Sequence, residues 1–296
     1  MEKVKIGNSY AYLEIHQQTL TLDEPRPAVI ICPGGAYFYT SNREATPVAN
    51  EFLVRGYTVF VLHYSTMSTK RMVEDGLDFE QSKEDIESVI NHSSEQPSEF
   101  PQPLIELGLA MKYVHQHAKK YNVDPSRIVT CGFSAGANLI TLLGSYWHQE
   151  WLQSAVETSG EILKPAAQIV CYGYMDSISL GDFDSIDLDN MVEAMHRATF
   201  NKTEVSETEL KKVSPTLLVD SKTPASFVWH TREDALIPVE QSLNFCLALQ
   251  KHNVPWELHV FDKGAHGLSV ATSASGVVND HVHEWLNLFN TWFNTL

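Results

Sequence analysis

Residues 127–146 read RIVTCGFSAGANLITLLGSY, and this stretch decides the fold. It opens on the apolar run Arg127 to Cys131, which predicts a buried strand, and continues into the helical pattern Ala137 to Tyr146. Between them stands Gly132-Phe133-Ser134-Ala135-Gly136, a G-x-S-x-G sequence. A serine at such a strand-to-helix turn has a strained backbone and an exposed hydroxyl, and the glycines leave room for the close approach of strand and helix. The pattern predicts that Ser134 is a nucleophile; an ordinary glycine-rich turn is the alternative.

Apolar runs alternate with helical patterns along the rest of the chain. Several runs are continuous, as expected of strands that are buried on both faces. These patterns predict an α/β fold with a mostly parallel central sheet and helices on both faces. The predicted strands are Pro27 to Cys32, Thr58 to His63, Arg127 to Cys131, Ala167 to Cys171, Ser226 to Trp229 and Trp256 to Phe261. Besides Ala137 to Tyr146, the predicted helices are Leu104 to Tyr121, Pro238 to His252 and His281 to Phe293.

The charge balance argues against several classes of partner. The 296 residues hold 21 Lys and Arg against 37 Asp and Glu, a formal net charge of −16. Nucleic acids and anionic lipid surfaces are bound by clustered basic side chains, and no basic cluster stands out. The longest apolar runs, Ala28 to Cys32 and Val59 to Leu62, are far shorter than the roughly 20 residues that a membrane helix needs. No apolar segment of a signal peptide follows the first residues, so a cytoplasmic protein is expected.

No pattern predicts a metal or an organic cofactor. The four cysteines lie far apart, without the C-x-x-C spacing of zinc and thioredoxin-type sites, and are expected to be buried thiols. His281 and His283 stand two apart on a predicted helix and cannot converge on one ion. The acidic run Asp182 to Asp189 has Ile186 and Asp187 where a calcium loop needs an oxygen ligand and a glycine.

Two polar segments interrupt the alternation of strands and helices. Residues 66–100 and 177–214 are rich in Asp and Glu, and neither has the apolar residues for a core of its own. We therefore expect one domain over residues 1–296, with both segments inserted on the main sheet near its functional edge. Their expected role is that of a cap, a lid or an oligomer contact, and a solvated surface excursion is the alternative.

A serine hydroxyl needs a base, usually a histidine that is oriented by a carboxylate. The predicted strand that ends at Trp229 is followed by Glu233 and Asp234, and the strand that ends at Phe261 is followed by His266 between glycines. The carboxyl ends of parallel strands share one sheet edge, where ligand sites form. The order serine, acid, histidine predicts Ser134, Asp234 and His266 as the reacting groups, with Glu233 as the competing acid.

The loop after the first buried strand predicts a site for a developing negative charge. It reads Cys32-Pro33-Gly34-Gly35-Ala36-Tyr37, and a Gly-Gly loop can turn its amides toward an oxyanion together with the amide of Ala135. A plain turn is the alternative. Tyr37, Phe38 and Tyr39 follow, and they are candidates for a substrate-binding wall against an acyl group or a sugar, or for rim packing.

Taken together, these segments resemble the α/β-hydrolase superfamily, and within it microbial carboxylesterases related to acetylxylan and feruloyl esterases (BD-FAE-like). The resemblance covers most of residues 25–295. Pro33 stands where related lipases often have His, and Ala36 where they often have a third Gly, so which amide of the loop points inward stays open. The matching pieces are Cys32-Pro33-Gly34-Gly35-Ala36-Tyr37, Gly132-Phe133-Ser134-Ala135-Gly136-Ala137-Asn138-Leu139, Glu233-Asp234-Ala235-Leu236-Ile237-Pro238-Val239 and Gly264-Ala265-His266-Gly267-Leu268.

The resemblance implies the α/β-hydrolase fold and a triad of Ser134, Asp234 and His266, with oxyanion amides from Gly35, Ala36 and Ala135. It implies no cofactor. The expected function is hydrolysis of short, acetyl-type esters, including acetylated sugars, through an acyl-enzyme. The expected partner is thus a small-molecule ester, and a homodimer is a further expectation. A serine peptidase of prolyl-oligopeptidase type and an inactive binding protein on the same fold are the alternatives.

Overall fold

A computed structural model describes residues 2–18, 24–69, 91, 97–158, 160–179 and 188–296. Its centre is an eight-stranded sheet in the order β1-β2-β4-β3-β5-β6-β7-β8. β1 and β2 pair antiparallel, as do β2 and β4, and all the other neighbours pair parallel. The strands are β1 Glu2–Lys5, β2 Tyr12–His16, β3 Arg26–Cys32, β4 Thr58–His63, β5 Val123–Phe133, β6 Ala167–Cys171, β7 Ser226–Thr231 and β8 Trp256–Phe261.

The six predicted strands are all present, and three of them have the predicted bounds. The clearest difference lies at the start of β5, which was predicted at Arg127. The strand instead begins at Val123, which pairs with Arg26, and its pairing resumes at Ile128 beyond an irregularity. β1 and β2 were not predicted, because both are short and polar residues such as Glu14 interrupt their apolar pattern.

Helices cover both faces of the sheet, as predicted. The predicted helix from His281 to Phe293 is divided at Glu284, although the backbone of that residue keeps helical angles. A 3-10 turn, Asn42–Glu44, precedes the first helix. The helices are α1 Thr46–Val54, α2 Gln102–Gln116, α3 Ala135–Tyr146, α4 Glu150–Val156, α5 Leu188–Phe200, α6 Glu207–Lys212, α7 Pro215–Leu218, α8 Glu240–Lys251, α9 Asp280–His283 and α10 Trp285–Phe293.

An apolar layer lies on each side of the sheet. One layer holds α1 and α10, where Trp285 stacks on Trp229 with ring centroids 5.6 Å apart and packs against Phe52. The other layer holds α2, α3 and α8. Because the parallel strands end at the same edge, the loops after β3, β5, β7 and β8 are brought together there.

The described parts of the two polar segments pack on each other. Ser98 Oγ–H donates to the carbonyl oxygen of Ala198 (2.5 Å), and Phe100 N–H donates to that of Thr199 (2.8 Å). α5 also buries Met195 and Ala198 in the main core, so this part of the second segment is not a free surface excursion. Most of the first segment and residues 182–187 of the acidic run lie outside the described residues.

Several sequence expectations can be placed on the described ranges. All four cysteines are buried free thiols, as predicted. None of the helices in these ranges combines the length and apolar character that a bilayer crossing requires.

The packing of Trp285 generates a prediction for stability. Trp285 is fully buried, whereas Trp151 is 39% exposed. Trp285→Ala should lower the free energy of unfolding by about 3–5 kcal/mol, because it removes a large buried ring and leaves a cavity. Trp151→Ala is the matched control and should cost clearly less. Guanidinium unfolding followed by circular dichroism measures both, and equal losses would contradict this account of the core.

Candidate active site

The backbone of Ser134 is held in an unusual conformation at the turn between β5 and α3. Its φ is 51° and its ψ is −116°, in the left-handed half of backbone space that residues with a side chain rarely adopt. Its N–H donates to the carbonyl oxygen of Cys171 on the neighbouring strand (3.0 Å). A Cβ on Gly136 would lie 1.9 Å from the carbonyl oxygen of Cys32, and one on Gly132 would lie 2.2 Å from that of Gly136. Only glycines therefore fit on either side of the serine, as the sequence pattern predicts.

Ser134, His266 and Asp234 form a chain of hydrogen bonds, although they come from three distant loops. Ser134 Oγ lies 2.9 Å from His266 Nε2, and Nδ1 of the same ring lies 2.6 Å from Asp234 Oδ2. A carboxylate only accepts, so Nδ1 carries the ring proton and Nε2 is left to accept from the serine hydroxyl. This is the tautomer that a base for Ser134 requires.

Asp234 is fixed by four donors. Its Oδ1 accepts from the N–H groups of Leu236 and Ile237 (both 2.9 Å), and its Oδ2 accepts from His266 and from His230 Nε2 (3.2 Å). Burial alone would raise the pKa of Asp234, but the hydrogen bonds from His230 and His266 outweigh burial and hold the pKa well below its usual range. The carboxylate therefore stays ionised at neutral pH and can favour a positive charge on His266.

The second histidine on this carboxylate, His230, was not assigned a role from the sequence. It is fully buried at the end of β7, and its Nδ1 lies 2.8 Å from Ser242 Oγ. Its Nε2 lies 2.9 Å from the carbonyl oxygen of Ile237, which can only accept. Nε2 thus carries the proton, and Nδ1 accepts from the Ser242 hydroxyl. The sequence signal that could have found it is a histidine four residues before the acid in a strand buried on both faces.

The competing acid, Glu233, lies on the surface. It forms ion pairs with Lys263 and Arg232, and its side chain is 41% exposed. The structure therefore brings Asp234, and not Glu233, to the histidine.

The loop after β3 has three consecutive residues with positive φ. Gly35, Ala36 and Tyr37 have φ values of 125°, 53° and 63°. The N–H of Gly34 donates to Glu44 Oε2 (2.6 Å), so this amide is already engaged. The amides of Gly35 and Ala36, with that of Ala135 at the start of α3, remain the candidates for an oxyanion site. Gly34 is thereby removed from the loop amides that the sequence left as candidates to point inward.

The three aromatic residues after this loop lie in different surroundings. Tyr37 is buried, donates its O–H to Asn138 Oδ1 (3.0 Å) and packs edge-on against Tyr64. This bond ties the loop to α3, and with 3% of its surface exposed Tyr37 has little area left to contact a substrate. Phe38 and Tyr39 are partly exposed.

Comparisons with known proteins agree with this fold. The BD-FAE family model matches residues 83–249. Endo-1,4-beta-xylanase B of Butyrivibrio fibrisolvens is 29% identical over 273 residues, which is 90% of this chain and 35% of that protein. Esterase LipQ of Mycobacterium tuberculosis is 26% identical over 275 residues, 88% of this chain and 55% of that protein. The chain thus spans about a third to about half of the length of these two relatives.

A solved structure is also similar to this chain in fold. The acetyl ester-xyloside bifunctional hydrolase of Caldicellulosiruptor lactoaceticus superposes with a TM-score of 0.73 at 28% identity, over 96% of this chain and 88% of that one. The expected resemblance is confirmed. Since the family model covers more than half of its residues, the chain belongs to the BD-FAE family of α/β-hydrolases.

Proposed function

We propose that this chain is a serine carboxylesterase that hydrolyses short, acetyl-type esters, including acetylated sugars. The observation that carries the proposal is the hydrogen-bonded chain from Ser134 through His266 to Asp234 at the carboxyl edge of the sheet. The names of the similar proteins, an esterase and an acetyl ester-xyloside hydrolase among them, support an ester as the substrate.

In the proposed reaction, Ser134 Oγ attacks the ester carbonyl carbon while His266 Nε2 takes the hydroxyl proton. The developing oxyanion accepts hydrogen bonds from the amides of Gly35, Ala36 and Ala135. His266 then gives the proton to the leaving alcohol, and an acyl-enzyme remains. Water attacks the acyl carbon with His266 again as the base, which releases the acid and restores the Ser134 hydroxyl.

The surroundings of Asp234 suit its proposed role. Two backbone amides and His230 fix the carboxylate, so it cannot rotate away when His266 becomes charged. Because Asp234 is buried, its attraction for the imidazolium is screened less than it would be in water. Phe38 and Tyr39 are the proposed contacts for the acyl or sugar part of the substrate, since both are partly exposed just beyond the oxyanion loop.

Ser134→Ala tests the nucleophile. We expect the variant to keep its fold, by circular dichroism, and to lose nearly all turnover of p-nitrophenyl acetate, because it lacks the hydroxyl that His266 Nε2 contacts. A fluorophosphonate probe should label the wild-type chain and not the variant. Retained turnover, or turnover of aminoacyl amides without turnover of esters, would contradict the proposal.

The assignment of the acid is tested by a matched pair of substitutions. Asp234→Asn should lower kcat by about 10³- to 10⁴-fold, because the amide no longer selects the tautomer that leaves His266 Nε2 free. Glu233→Gln, a neutralisation at the neighbouring position, should leave kcat within about twofold, since that side chain pairs with Lys263 on the surface. Steady-state kinetics on p-nitrophenyl acetate measures both, and the opposite ranking would show that the acid is misassigned.

The substrate class is tested by a panel of esters. We expect kcat/KM to be highest for p-nitrophenyl acetate or butyrate and to fall at least about tenfold at octanoate, because an acyl site shaped for acetyl rejects extra methylenes by steric exclusion. Acetylated xylosides should be deacetylated, as measured by release of acetate, with feruloyl esters as the comparison. A rate that peaks at octanoate or longer would overturn the short-chain proposal.

A further inference from the structure

A buried carboxylate that the proposed reaction does not use lies behind the oxyanion loop. Glu44, at the end of the 3-10 turn, is 5% exposed. Its Oε2 accepts from the N–H of Gly34 (2.6 Å), and its Oε1 accepts from the hydroxyl of Tyr172 (2.7 Å). A Cβ on Gly34 would lie 2.8 Å from Glu44 Oε2, so the loop approaches the carboxylate as closely as a glycine allows.

Tyr172 links Glu44 to the loop that holds His266. Its hydroxyl donates to Glu44 and accepts from the N–H of Ser269 (3.0 Å). Its ring packs edge-on against the His266 ring, with centroids 5.0 Å apart. A continuous path of hydrogen bonds therefore joins Gly34 on the oxyanion loop to Ser269, three residues after the histidine.

The residue before Glu44 holds the same histidine loop from a second side. Arg43 Nε donates to the carbonyl oxygen of Ser275 (2.8 Å), and another nitrogen of its guanidinium donates to that of Gly267 (2.7 Å). Ser269 Oγ–H donates to the carbonyl oxygen of Arg43 (2.7 Å). The 3-10 turn thus contacts both loops through side chains and backbone.

We propose that Glu44 is a positioning residue that holds the oxyanion loop and the His266 loop in a fixed relative position. The oxyanion amides and the imidazole then face the same substrate carbonyl. This inference rests on the proposed esterase function. With the Gly34 amide turned to the carboxylate, the amides of Gly35 and Ala36 are presented to the substrate instead. Two loops that are otherwise far apart in the chain are then tied to one carboxylate.

The hydrogen bonds define which form of Glu44 does this. Both oxygens face donors, and Tyr172 already accepts from Ser269, so a proton on the carboxyl would leave one of the donors without an acceptor. Burial outweighs the hydrogen bonds from Tyr172 and Gly34 and the nearby His266 and Arg43, so the pKa of Glu44 is raised above its usual value. The ionised form is the one that satisfies every contact.

Glu44→Gln tests this role with nearly the same shape. The side-chain amide has one acceptor oxygen for two donors, so either Gly34 or Tyr172 loses its hydrogen-bond acceptor. The two loops are then no longer held in a fixed relative position. We expect kcat on p-nitrophenyl acetate to fall by about 10- to 100-fold, up to the scale of a catalytic group displaced by about 1 Å. KM should change by less than about threefold. The rate of fluorophosphonate labelling should fall in parallel with kcat.

Glu106→Gln is the matched control. Glu106 is also buried, and its carboxylate also accepts from one backbone N–H and one O–H, both of Ser65, with a further bond from the Gln102 side-chain amide (3.0 Å). The two variants should lose similar thermal stability, but Glu106→Gln should keep kcat within about threefold. If kcat follows the melting temperature equally in both variants, the effect is general destabilisation and the proposal is overturned.

Tyr172→Phe separates the two halves of the path, because it keeps the contact between Glu44 and Gly34 and removes the one to Ser269. If both residues act through one path, the double variant should lose little more activity than the worse single variant. Wild-type kcat in folded Glu44→Gln overturns the inference and leaves the esterase proposal standing. A wild-type chain that neither turns over esters nor reacts with the probe overturns the esterase proposal itself.

Discussion

The close approach of α3 to the ends of β3 and β5 is the constraint on which the site depends. Gly136 lies against the carbonyl oxygen of Cys32, and Gly132 lies against Gly136, so the chain must reverse within a single residue. That residue is Ser134, which takes a backbone conformation that costs on the order of 1–3 kcal/mol and is retained only where the surrounding structure enforces it. The buried strands and the helix supply that enforcement. The hydroxyl is therefore fixed by the core of the molecule rather than by a mobile loop.

The hydrogen bonds of the buried Asp234 carboxylate are the second requirement of the site. Asp234 is an isolated charge with no exposed side-chain surface, and such a charge is stable only if its oxygens are fully hydrogen-bonded. Two amides of its own loop and two imidazoles meet this need. His230 donates its Nε2 proton to Asp234 and to the carbonyl oxygen of Ile237, so it helps to satisfy the carboxylate beside His266.

The sequence predicts the parts of this arrangement that local chemistry determines. Ser134 follows from its glycines and from the strand and helix on either side, and the loops of Asp234 and His266 follow from their place after strands of the parallel sheet. β1 and β2 could not be predicted, because their side chains are stabilised by partners far away in sequence, as when Glu14 meets Lys3 and His63. The pattern of a short strand with polar residues is not distinguishable from that of a surface loop.

His230, Glu44 and Tyr172 escaped prediction for a related reason. Each is a polar residue in an apolar or helix-initiating context, and its role is defined only by groups that are brought to it by the fold. Nor could the sequence decide between a substrate wall and packing for Tyr37, because that depends on the bond of its hydroxyl to Asn138 on α3. Local sequence thus predicts which groups react, while the groups that orient them are defined by contacts between distant segments.

A common physical logic connects the buried carboxylates at this edge of the sheet. Asp234 and Glu44 each accept from backbone N–H groups of a loop as well as from side chains. A charged acceptor makes shorter and stronger hydrogen bonds than a neutral one, so a single carboxylate can fix a loop that lacks regular secondary structure. The desolvation of each carboxylate is offset only when all of its donors are in place. Such a site favours one arrangement of its loops over slightly displaced ones, which is the property that simultaneous alignment of a nucleophile, a base and an oxyanion site requires.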